Sequence, residues 1–101
     1  MVNKQGKKVV FLIKNVEEYG KLISYCIQKD IVVFRTYWDE RTKGDICYDI
    51  DFIKNRCFYA NRKYYECYEE CEIVEPIFVL DNYGHWYVDL PKSKVQQYTY
   101  L

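Results

Sequence analysis

The sequence predicts an α+β fold, a mixed or mainly antiparallel sheet of five to six strands with one main helix packed on one face. Three observations carry this. A short apolar run at Val9–Ile13 is followed by a segment with helical spacing and then by a second, β-branched run. Beyond Gly44 the pattern changes to alternation broken by turn residues, the order of hairpins. The chain has 101 residues, half of them hydrophobic on a broad count, which suits a single domain over 1–101 with a real core. Residues 1–6 and 91–101 read as loosely held tails.

Lys8–Ile13 is the first strand. It is apolar without alternation, so it should be central and covered on both faces. Asn15 ahead of Val16-Glu17-Glu18 is a helix start, a capping side chain followed by acids where the helix dipole favours negative charge. Val16, Tyr19, Leu22, Ile23, Cys26 and Ile27 give one apolar face, and the helix should end near Lys29-Asp30. Gly20 inside it costs about 1 kcal/mol relative to alanine. Its place beside the stripe predicts close packing against the sheet.

Ile31–Trp38 reads as a second strand, with Val32, Phe34, Thr36 and Trp38 on one face and Val33, Arg35 and Tyr37 on the other. Residues 39–44 form a charged loop. Asp45–Phe52 is the cleanest alternation: Ile46, Tyr48, Ile50 and Phe52 against Asp45, Cys47, Asp49 and Asp51, a strand with one wet face. Ile53-Lys54-Asn55 reverses the chain into a fourth strand, Arg56–Ala60. Residues 61–72 suit a short helix or an irregular strand. Ile73–Leu80 reads as a fifth strand in which Pro76 marks an edge or a bulge. Asp81–Gly84 is a turn, and His85–Leu90 returns as a sixth strand until Pro91 stops it. The tail keeps Val95, Tyr98, Tyr100 and Leu101, enough for an edge strand or a docking segment. One helix is thin cover for six strands, so a second copy or a bound partner is expected to close the open face.

Tyrosine is the compositional signal: twelve of 101 residues. Its ring gives large, stiff, amphipathic contact area at low entropy cost, and a buried ring needs a partner for its hydroxyl. Some rings should therefore reach the surface. Fifteen basic and fifteen acidic residues balance, unlike a non-specific nucleic-acid binder. The charges are nonetheless sorted, basic at Lys4–Lys14 and Lys54–Lys63, acidic at Asp39–Asp51 and Glu66–Glu75.

Five cysteines with no CxxC, no signal peptide and no run long enough to span a bilayer point to reduced thiols in a cytoplasm. Three arrangements of reactive or metal-ligating residues each have an ordinary counterpart. His85 beside a thiol of Cys67 or Cys71 has the elements of a nucleophile and base, but no spacing selects one of five cysteines. Cys67 and Cys71, with His85 or Cys57, lack the tight pairs of structural zinc sites. Asp45, Asp49 and Asp51 on alternate positions suit a divalent cation, and equally a solvated strand face. We expect no enzyme, no catalytic residue, no metal and no cofactor. Arginines interleaved with rings do suit a contact surface. The candidate interface is Arg35, Tyr37, Trp38, Tyr48, Arg56, Tyr59, Arg62, Tyr64 and Tyr65.

The chain resembles small proteins of phages and mobile elements from AT-rich bacteria: short, single-domain, bearing Tyr, Ile, Lys and Asn, without an enzyme signature. Anti-defence proteins, including anti-CRISPR inhibitors of CRISPR effector nucleases, are similar in size and composition. The resemblance carries no site residues. It implies a non-enzymatic protein acting by stoichiometric binding on a larger protein or nucleoprotein machine, in the host cytoplasm. The thinly covered sheet adds a homodimer as an option, and the balanced charge disfavours nucleic acid as the partner. A nucleotide sponge or sensor and a small nucleic-acid-binding protein are the alternatives.

Overall fold

The computed structural model describes residues 7–33, 38, 45–68 and 71–89. They form seven strands and two helices: β1 (Lys8–Ile13), α1 (Val16–Gln28), β2 (Val32–Val33), β3 (Ile46–Asp51), β4 (Arg56–Asn61), α2 (Arg62–Cys67), β5 (Cys71–Val74), β6 (Ile77–Leu80) and β7 (Trp86–Asp89). The fold is α+β, with a mixed five-stranded sheet in the order β2-β4-β3-β1-β5 and a separate β6-β7 ribbon. β3 is antiparallel to both its neighbours, while the edge strands β2 and β5 pair parallel, with β4 and β1.

α1 begins as expected. The Asn15 carboxamide accepts the Glu18 N–H at 2.8 Å, and the Glu18 carboxylate accepts the Lys14 N–H at 3.0 Å. Its end is a Schellman motif closed by an aspartate. Asp30 sits at φ 55°, its N–H reaches Ile27 O at 3.1 Å, and the Ile31 N–H reaches Cys26 O at 2.8 Å. Ile31 then joins Cys26 in the core, the apolar contact that accompanies this motif. Asn55, also at φ 55°, closes the β3–β4 turn, where the Asp51 carboxylate accepts the N–H groups of Ile53 and Lys54.

Register sorts the side chains into two layers. On the α1 face lie Val9, Phe11, Ile13, Tyr48, Ile50, Cys57 and Val74, packed against Leu22, Tyr25 and Cys26 of the helix. On the other face Val10, Leu12 and Cys47 pack against Tyr65 of α2. β1 is thus covered on both sides, as its unbroken apolar run predicts.

Several expectations need correction. The second face is not left wholly open: α2 covers one end of it, packing on β3, β4 and β5. Cys47 is consequently buried, although the alternation placed it on a wet face. Nothing lies within 4 Å of a Cβ built on Gly20, which is exposed; this glycine does not mark a close approach to the sheet. The expected strand Ile73–Leu80 is broken at Glu75-Pro76, so its first half joins the main sheet beside β1 and its second half forms the ribbon with β7. The expected contacts of residues 34–37, the loop 39–44 and the tails 1–6 and 91–101 lie outside the described residues.

Candidate functional site

The ribbon packs over α1. Phe78 and Val88, a cross-strand pair, point into the α1 layer of the core. Ile77, Val79 and Tyr87 are on the opposite side and exposed. A two-stranded ribbon has one face to bury, yet here both faces are apolar, so the outer one meets solvent.

The ribbon's turn is tightly built. The Asp81 carboxylate accepts the N–H groups of Tyr83 and His85, each at 2.8 Å, and the Asp81 N–H reaches His85 O at 2.9 Å. Gly84 provides the φ of 81° that the loop needs. These N–H groups, that of His85 foremost, hold the Asp81 carboxyl below the usual carboxylate range. Tyr83 stands at the tip, 86 % exposed. Beside it, Ser24, Ile27 and Gln28 of α1 and Gly84, His85 and Trp86 of the ribbon line a groove of about 420 Å³. The Lys21 ammonium lies 4.4 Å from the Trp86 ring centroid, a cation–π contact that fixes the groove's wall.

Among the described residues, the candidate interface side chains do not assemble into one surface. Tyr48, only 1 % exposed, is interior, with rings of Tyr19 at 6.1 Å and Tyr59 at 5.7 Å. Trp38 lies 5.5 Å from Tyr19, and both Trp38 and Tyr59 are half-buried against the same core. Tyr65 is buried under α2 and meets Tyr64 edge-on at 5.2 Å. Tyr48 and Tyr65 therefore fill the interior and are not available for contact: their strand and helix faces point inward. Tyr64 is exposed and Arg62 is paired with Glu66 at 2.8 Å. Arg56 begins β4 and Arg62 follows its end, roughly 20 Å away at the usual rise of a strand. Arg35 and Tyr37 lie outside the described residues.

The catalytic arrangements also separate. Cys71 is on the α2 face, its thiol donating to Tyr65 O at 3.2 Å, whereas His85 belongs to the ribbon on the α1 face. Asp49 pairs with Lys8 at 3.2 Å and Asp51 is turned to its own turn, so the aspartate stripe is divided among structural tasks. Among the described residues no group of three His, Cys, Asp or Glu side chains is placed to hold a metal, and no helix is long and apolar enough to cross a membrane.

The ribbon's outer surface is not visible in the sequence because Ile73–Leu80 reads as one continuous strand. The signal lies in the segment itself: Ile77 and Val79 alternate with Phe78 and Leu80, so both faces of the strand are apolar. Comparison with family models, with curated proteins and with solved structures gave no match.

Proposed function

We propose that this chain is a non-enzymatic binding protein that inhibits or modulates a larger protein or nucleoprotein machine by covering one of its surfaces, in the manner of phage anti-defence proteins. One observation supports the reading above others. Tyr83 is held out on a loop whose backbone is fixed by Asp81, next to the exposed apolar face of Ile77, Val79 and Tyr87. A rigid aromatic anchor beside apolar area loses little freedom on binding, which is how contact area becomes affinity. The surface differs from the one expected from the sequence, but the logic of displayed rings is the same. The sorted charges would set orientation and association rate.

The test is quantitative affinity capture from lysate of the encoding cell, using the full chain and two variants, Tyr83→Ala and Val79→Asp. The expected result is a defined protein or nucleoprotein complex retained by the full chain and lost by both variants. Capture that is indifferent to both substitutions would remove the ribbon from the interface. A specific thermal shift with a nucleotide, without any captured protein, would favour the sponge alternative instead.

A further inference from the structure

We propose that the β6-β7 ribbon is a hinged cover that lifts from α1 about the Glu75-Pro76 break and uncovers Tyr25 while the five-stranded sheet stays folded. This motion does not depend on what the ribbon binds, so it stands or falls apart from the binding reading above.

Tyr25 marks the ribbon's seat. It lies outside the apolar stripe of α1, yet it is only 8 % exposed. At the helical period Lys21, Tyr25 and Lys29 form one row, each a turn from the next. Both lysines reach rings of β7: the Lys21 ammonium lies 4.4 Å from the Trp86 centroid, and that of Lys29 lies 5.9 Å from the Tyr87 centroid. Tyr25, between them, is therefore on the side of α1 that β7 covers, and it belongs to the cluster against which Phe78 and Val88 pack. Tyr48 differs. It sits among the rings of Tyr19 and Tyr59, on a strand in the middle of the five-stranded sheet.

The ribbon's attachment is slight. Among the described residues β6 and β7 pair only with each other. The chain enters the ribbon from β5 through Glu75-Pro76, which belongs to neither ladder, and proline has no N–H to continue one. Val74 and Pro76 are buried at this root, whereas Ile77, Val79 and Leu80 beyond it are exposed. The inner pair Phe78 and Val88, half-buried, and the two lysine–ring contacts hold the ribbon down. β1, by contrast, is buried from Val9 to Ile13 and paired along both edges. An element with few buried contacts and no ladder to the rest opens at lower free energy than the whole molecule. A two-stranded ribbon is marginal by itself, so lifting and loss of its own ladder go together.

The experiment is native-state hydrogen exchange of the full chain, followed by NMR, with the variants Leu12→Val and Phe78→Ala. The paired amides of β6 and β7 should exchange together, about tenfold or more faster than those of β1 and β3. Leu12 packs on the far face of the sheet. Leu12→Val should speed β1 and β3 about fivefold and leave the ribbon's rate unchanged, because it weakens the docked and lifted forms alike. Phe78→Ala should speed the ribbon about tenfold or more. A side-chain readout is nitration by tetranitromethane, located by mass spectrometry. It should reach Tyr25 well before Tyr48, and sooner still in Phe78→Ala. Ribbon amides that exchange in step with β1, that respond to Leu12→Val as β1 does, or that ignore Phe78→Ala would each overturn the proposal. So would a Tyr25 nitrated no sooner than Tyr48.

Discussion

Two groups of aromatic rings lie on the α1 side of the sheet and are used in opposite ways. Tyr19, Trp38, Tyr48 and Tyr59 form a continuous inner cluster, with centroids 5.5–6.1 Å apart. Tyr83 and Tyr87 of the ribbon face outward, and Trp86 beside them is stacked by a lysine. The residue type is the same; the strand context differs. Tyr48 and Tyr59 are a cross-strand pair in the middle of a five-stranded sheet under a helix. The ribbon has only two strands, so among the described residues its outer side chains Ile77, Val79 and Tyr87 stay exposed. Abundance of tyrosine therefore says that rings are needed, and topology says for what.

The largest expected effect is in the inner cluster. Tyr48→Ala should cost about 3–5 kcal/mol of unfolding free energy in urea titrations, whereas Tyr83→Ala should stay within about 0.5 kcal/mol while abolishing capture. Comparable losses at the two positions would erase the distinction.

High pH should strike the same interior. Burial pushes the Tyr25 phenol up to about 12 from 10.0, and the Cys47 thiol up to about 11 from 9.0. Each group is neutral when protonated, so the unfolded chain releases these protons at lower pH than the folded one. Their contribution is complete below about pH 9 and is lost as pH rises through the folded values. The urea midpoint should fall between neutral pH and about pH 10.5, and a midpoint that stays level across this range contradicts the burial of these groups.

Smaller and opposite in sign is Tyr19→Phe. The Tyr19 hydroxyl is enclosed with no hydrogen-bond partner among the described residues, and such a group costs about 1–3 kcal/mol. Removing it should raise stability by about 1 kcal/mol; a loss would mean that the hydroxyl is used. Asp30→Gly should stabilise by a similar or smaller amount, about 0.5–1 kcal/mol, because glycine adopts the left-handed cap without strain. With no expected change in stability, alkylation of the native chain should mark Cys67 first and leave Cys26, Cys47 and Cys57 untouched until denaturant is added, as read by mass spectrometry.

Local signals in the sequence were dependable where short-range chemistry decides structure. The Asn15 cap, the strand at Ile46–Asp51 and the turn at Asp81–Gly84 appear where their residues place them; the α1 stripe holds at Leu22 and Cys26 but leaves Val16 and Ile27 exposed, and Tyr25, outside the stripe, is buried. Failures came from long-range choices. The break at Glu75-Pro76 depends on β5 finding β1, and the cover on the second face depends on α2 folding over Cys47 and Leu12. Neither is written in a window of neighbouring residues. The nine candidate contact residues mixed inward and outward rings for the same reason, since alternation shows that two faces differ but not which is roofed.

The pairing of β1 with β5 has a consequence for biosynthesis. β1 leaves the ribosome well ahead of β5, and it is an unbroken apolar run. Its flanking partner, Cys71–Val74, is made only after the intervening residues 14–70 have emerged. For that interval a hydrophobic strand has a bare edge, the state in which nascent chains associate with one another or recruit chaperones. Shortening the protein before Cys71 should therefore yield aggregates instead of a smaller soluble fold.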